Sequence, residues 1–181
     1  MTHIRFMRAF TLIELMVTIA VLGIVLFIAV PNFYKFVIKQ EVKSQTSELA
    51  LTLMYARSEA MKLQKPIAVV PMKTSNNDRW VNGWCVVPKG KNCSNTSDVL
   101  RQFEVSSNHI ISSPNTQYAS TQLVFTARGS LESGTGFITL QPDSNDKNLN
   151  EGSLRCIDIN RQGRARVLTA SDTICQVVQK S

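Results

Sequence analysis

From Phe10 to Val30 the chain runs through 21 residues whose only polar side chains are Thr11, Glu14 and Thr18. As a helix rising about 1.5 Å per residue, this stretch spans roughly 30 Å, the thickness of a bilayer's hydrocarbon core. The remainder has ordinary globular texture, so the chain divides into a membrane-like rod and a soluble part. Residues 1–9 carry Arg5 and Arg8 and no acid. A secretory signal peptide has a shorter apolar region followed by a small-x-small cleavage site. Val30-Pro31-Asn32-Phe33 is no such site, which leaves a retained segment.

Glu14 makes the rod more than a plain anchor. A carboxylate inside a spanning helix costs about 2.5–3.5 kcal/mol at the centre and less near an end. Glu14 therefore either snorkels to the interface or meets a cationic partner. No Lys or Arg lies between Phe10 and Val30, so that partner would come from another molecule. A freed α-amino group on a neighbouring subunit has the right charge.

Phe10-Thr11-Leu12-Ile13-Glu14-Leu15 behind a short basic leader resembles the N-terminus of type IV pilins and pseudopilins. The resemblance implies that a prepilin peptidase cuts between Ala9 and Phe10 and methylates the Phe10 amine. Glu14 then stands where the family keeps its assembly glutamate, and Pro31 where it often has a helix-kinking proline. One position departs from the pattern: Ala9 precedes the cut, where the family usually has Gly.

Beyond Pro31 no Gly or Pro occurs up to Leu63, and Ile38, Val42, Leu49, Leu53, Ala56, Ala60 and Leu63 recur at the spacing of one helical face. A helix from Phe10 to Leu63 would be roughly 80 Å long. Its lower half, 10–30, needs lipid or other subunits, and its amphipathic continuation, 31–64, needs a sheet. Near its end, Tyr55-Ala56-Arg57-Ser58-Glu59-Ala60 is similar to the GspH/FimT/FimU group of minor pilins and pseudopilins. Arg57 and Glu59 are expected to be structural there.

Gln64-Lys65-Pro66 ends the helix, and residues 65–181 read as short strands separated by turns. The strand-like runs are 67–70, 84–87, 100–105, 123–126, 137–140, 154–159 and 166–168. Ser75-Asn76-Asn77-Asp78, the segment 88–92 and Asp143-Ser144-Asn145-Asp146 carry turn chemistry. The expected fold is α+β, a pilin-like lollipop with one antiparallel sheet domain on the long helix. Trp80-Val81-Asn82-Gly83-Trp84 and the Ile157–Val167 stretch, with its G-R-x-R-V ending, resemble the GspH-type domain. The two tryptophans are expected in the core rather than on a stacking platform.

Cys85, Cys93, Cys156 and Cys175 all fall in this soluble part, at spacings unlike a zinc site. They imply an oxidising compartment, here the bacterial periplasm. The local pairing, Cys85–Cys93 with Cys156–Cys175, is favoured over the crossed alternatives. Positive charge flanks both ends of the span, so it does not decide topology; disulfides place the C-terminal domain outside an inner-membrane, single-pass anchor.

A net charge of +7 favours polyanions or anionic lipid without proving either. Arg161, Arg164 and Arg166 crowd one turn, with Arg155 just before it. They are read first as a solvated hairpin and alternatively as a phosphate clamp. The resemblance carries both: a G-R turn occurs in structural tip subunits, and in the FimT branch it is associated with DNA uptake. No C-x-x-C, H-E-x-x-H, Walker A or G-x-S-x-G pattern occurs. His109, Ser112 and Ser113 have no accompanying acid, so no enzyme activity, cofactor or metal is expected. The expected partners are other pilins or pseudopilins, prepilin peptidase and the inner membrane, with DNA as the alternative.

Overall fold

The computed structural model describes residues 11–72, 80, 83–105, 110–114, 122–133, 135–142 and 146–175. It divides into two units, Met1–Val37 and Ile38–Ser181. Helix α1, Leu12–Leu63, begins in the first and ends in the second.

Thr11 starts α1: its Oγ1 accepts the Glu14 amide at 3.3 Å and its carbonyl accepts the Leu15 amide at 3.2 Å. From Leu12 to Phe27 every residue is exposed, Leu12 to 76% and Phe27 to 84%. A helix apolar all round and bare of neighbours requires lipid or other chains to cover it. Among the described residues no single helix is long and apolar enough to cross a membrane, whereas Leu12–Phe27 and Asn32–Leu63 together have the length and composition to do so. Pro31, which lacks an N–H and restricts the residue before it, lies between those segments.

In the second unit α1 buries Ile38, Val42, Leu49, Leu53, Ala56 and Ala60, the stripe that the helical period predicts. Leu63 is the exception, 43% exposed. The helix stops there because Gln64 takes φ 51, the left-handed position that closes many helices. Thr46 and Thr52 also lie on the buried face, where each hydroxyl donates to a carbonyl one turn earlier, Val42 O and Glu48 O. Neither hydroxyl is therefore left unsatisfied in the core.

Eight strands are described beyond α1, and they form two sheets within the antiparallel sheet domain expected. β1 (Ile67–Pro71), β2 (Gly83–Pro88), β3 (Arg101–Glu104) and β5 (Leu123–Phe125) make one in the order β3-β2-β1-β5. β4 (Ile110–Pro114), β6 (Gly136–Pro142), β7 (Arg155–Ile159) and β8 (Ala165–Thr169) make the other in the order β4-β6-β7-β8. All the pairings are antiparallel. One set of alternating side chains from each sheet, including Ile67, Val69, Trp84 and Val86 from the first and Ile138, Leu140, Ile157 and Ile159 from the second, joins the α1 stripe in one core. The intervening residues face the other way and form small clusters, each built around cystines. Ala68, Cys85, Val87 and Val124 gather with Cys93, and Phe137 and Leu154 gather with Cys156 and Cys175.

The disulfides are Cys85–Cys93, with Cα atoms 5.7 Å apart, and Cys156–Cys175, at 5.8 Å. Each ties a later segment to a residue on a sheet strand, Cys93 to β2 and Cys175 to β7. Such a link stabilises typically about 2–4 kcal/mol, largely by restricting the unfolded chain.

Three described elements lie outside the sequence expectation, one of them the 3₁₀ turn Thr96–Asp98. β4 is Ile-Ile-Ser-Ser-Pro at a sheet edge, where a proline is tolerated. Helix α2, Lys147–Ser153, starts after the segment read as a turn: Asp146 Oδ1 accepts the amides of Asn148 and Leu149 at 3.1 and 3.2 Å. The same short acid that favours turns is here an N-cap. Ser75-Asn76-Asn77-Asp78 and Asp143-Ser144-Asn145 lie outside the described residues.

Candidate functional site

Two groups of residues merit examination, one at the start of α1 and one where α1 meets the turns of the second unit. Ala9 and Phe10 lie outside the described residues. Glu14 is exposed, with its amide on Thr11. Thr11-Leu12-Ile13-Glu14 is thus half of a capping box, with the acid in the first turn where the helix dipole favours negative charge. That S/T-x-x-E spacing was a legible signal beside the pilin motif.

At the other end, Arg57 Nε donates to Gly129 O at 2.9 Å across 72 positions of sequence. Gly129 has φ +77 and its hydrogen atoms face Met61 and Arg57. Against that same carbonyl lies Gly163, φ +75, in the turn between β7 and β8. The turn is closed by Gly163 N to Asn160 O at 2.8 Å, Arg164 N to Asn160 Oδ1 at 2.9 Å and Asn160 N to Arg164 O at 3.1 Å. Leu131 N to Arg161 O at 3.1 Å stitches it to the neighbouring turn. Three segments far apart in the chain, the Arg57 motif, the Gly129 turn and the G-R turn, therefore meet at one carbonyl oxygen.

The other motif residues are structural as well. Tyr55 lies under the Arg101 guanidinium at 5.7 Å, and Arg101 pairs with Glu48 at 2.9 Å. Glu59 pairs with Lys62 at 3.1 Å. Trp80 and Trp84 are buried, their ring centroids 6.5 Å apart. Trp84 stacks on Phe103 at 4.8 Å and donates Nε1 to Thr52 Oγ1 at 3.1 Å. No face of either ring is offered to a ligand, which fits the core reading.

The arginines divide. Arg166 pairs with Asp158, its cross-strand neighbour, at 2.9 Å, an exposed pair worth at most about 1 kcal/mol. Arg155 donates to the Leu154 carbonyl at 3.1 Å. Arg161 and Arg164 are exposed and, among the described residues, have no acidic partner. Of the Ser–His group, His109 lies outside the described residues, and Ser112 and Ser113 sit on edge strand β4. Among the described residues, no three of His, Cys, Asp and Glu come together as a metal site.

Comparison with known proteins matches the N-terminal segment and most of the C-terminal unit. A family profile described as Type II transport protein GspH matches residues 45–163, and one described as the prokaryotic N-terminal methylation motif matches residues 4–30. Comparison with curated protein sequences gives no match. Among solved structures, the type IV minor pilin FimU of Pseudomonas aeruginosa in one crystal form is 25% identical, with a TM-score of 0.57 over 76% of this chain and 95% of that one. The minor pseudopilin EpsH from the type 2 secretion system of Vibrio cholerae is similar in fold, 13% identical, with a TM-score of 0.52 over 73% of this chain and 99% of that one.

Proposed function

Since the chain belongs to the GspH family of type II transport proteins, we propose that it works as a processed filament subunit whose apolar helix passes from membrane to helical bundle. It is a minor pilin or pseudopilin, a structural component of a type IV pilus or a type II secretion pseudopilus. The observation that carries this reading is the coupling of a methylation motif over residues 4–30 to a GspH domain over 45–163. One chain thereby holds an export-and-assembly signal and a pilin-type head.

In this reading prepilin peptidase cuts after Ala9 and methylates Phe10, removing leader 1–9. Segment 10–30 anchors the chain in the inner membrane, and the domain from residue 65 onward faces the periplasm, where Cys85–Cys93 and Cys156–Cys175 stay oxidised. On assembly, Glu14 neutralises the Phe10 amine of an adjacent subunit, and the head lies at or near the filament tip against other minor subunits. Mass spectrometry of the protein in sheared filaments is expected to find N-methylated Phe10 as its first residue. Assembled protein beginning at Met1 would sink the scheme.

A subunit of this kind is expected to bind DNA only through net charge. For the full-length protein in detergent, changing Arg161 and Arg164 together to alanine should barely alter the slope of log K against log salt. If the turn instead grips duplex phosphates, losing two contacts flattens that slope by about 1.8. Asp158 holds Arg166, so Arg161 and Arg164 would have to carry such a grip.

A further inference from the structure

Beside the Gly163 turn lies a groove of about 370 Å³ lined by Met54, Arg57, Ser58 and Met61 of α1 and by Gly163, Arg164 and Ala165. Its floor is thioether: Met54 is 59% exposed and Met61 43%. Its rim carries two guanidinium groups and a hydroxyl, and no carboxylate lines it. On the same unit Lys62, Lys89, Lys91, Arg101 and Arg166 each have an acid within ion-pair distance. Arg164 has none among the described residues, and Arg57 uses Nε on Gly129 O, which leaves its terminal nitrogens for another acceptor. Arg128 and Arg161, in the two turns that meet there, are likewise without an acidic partner among the described residues.

We propose that this groove receives a segment of a neighbouring filament subunit that presents an Asp or Glu carboxylate next to an apolar side chain. The carboxylate lies on the Arg57–Arg164 rim, where guanidinium forks match its geometry. The apolar side chain lies on Met54 and Met61, whose flexible thioethers fit irregular shapes. The volume suits one or two side chains and not a duplex. Phosphates alone would leave the thioether floor unused, so charge and apolar surface together favour an acidic peptide over a nucleic acid. The assignment rests on the filament-subunit reading and names the partner's chemistry within it.

The test places a photo-crosslinking amino acid at Ser58, which is exposed and whose hydroxyl serves only its own helix, donating to Tyr55 O. The full chain is made in its own filament-forming cells. The expected product is a crosslink to an Asp- or Glu-bearing segment of another filament subunit. Arg164→Glu should cut its yield about tenfold, as losing a charge-assisted contact implies, and an acid-to-Arg change in that segment should restore it. Met54→Ser with Met61→Ser should weaken the crosslink without any change of charge. A crosslink indifferent to Arg164→Glu, or none to any subunit, overturns the assignment. A crosslink to nucleic acid that Arg164→Glu abolishes overturns it too, giving the groove to phosphates. Immunoblots of sheared filaments separate the two levels: wild-type chain absent from filaments refutes the subunit reading, while chain present with an unaffected crosslink refutes only the groove.

Discussion

Replacing Gly163 with alanine is expected to destabilise the Ile38–Ser181 unit by about 3 kcal/mol or more. Two costs combine. The residue sits at φ +75, where an L side chain costs roughly 1–2 kcal/mol. A Cβ there would also stand 2.2 Å from Gly129 O and 3.2 Å from the Phe125 ring. The first obstacle is backbone, so no rotamer change relieves it. Either the β7–β8 turn or the Gly129 turn must retreat, and Gly129 O is the acceptor for Arg57. Pulling it away loosens a partly buried hydrogen bond to a charged donor, worth about 1.5–3 kcal/mol. Gly90→Ala is the matched control: its φ is +86 but nothing lies within 4 Å of the added methyl, so only the backbone cost applies. Thermal or urea unfolding of both full-length variants in detergent measures the difference. A Gly163→Ala loss no larger than that of Gly90→Ala would mean that the turns do not depend on their close approach.

The glycine of the G-R turn is therefore explained by packing, and this bears on what the sequence could show. The α1 stripe was legible because its period is local: each of Ile38, Val42, Leu49, Leu53, Ala56 and Ala60 announces the same face, and all six are buried. Seven strands were legible for the same reason, through β-rich runs bounded by turn residues. Their division into two sheets was not. β5 pairs with β1, more than fifty positions earlier, while β4 pairs with β6, and no short pattern encodes such partners. β4 itself hides because two of its five residues are serine and one is proline. Leu63 fits the helical stripe by spacing but lies at its end, where the chain turns away. The meeting of Arg57, Gly129 and Gly163 escapes the sequence for the same reason as the sheet pairing. Each residue looks ordinary locally, and only the closed fold gives Arg57 a carbonyl on which to act.

At the head of α1, Glu14→Val is expected to leave the protein in the membrane and to reduce its incorporation into filaments about tenfold or more, the effect of losing some 1.4 kcal/mol of assembly free energy. Removing the carboxylate lowers the cost of insertion, which is below the roughly 2.5–3.5 kcal/mol of a mid-membrane position because Glu14 lies near the segment's end. The same change deletes the anion that the proposed assembly sets against a neighbour's Phe10 amine. At 4 Å and an effective dielectric near 20, such a pair gains about 4 kcal/mol before desolvation is counted, enough to fix axial register between otherwise featureless apolar helices. The structure adds a competing explanation, since Glu14 also stands in the Thr11 capping box, and valine removes its helix-dipole contribution of about 0.3–1 kcal/mol. Glu14→Gln separates the two, because glutamine suits that capping position but carries no charge. Equal failure of both variants in immunoblots of membrane and sheared-filament fractions assigns the effect to charge. A defect in Glu14→Val alone assigns it to the helix start, and normal incorporation of both would remove Glu14 from the assembly mechanism.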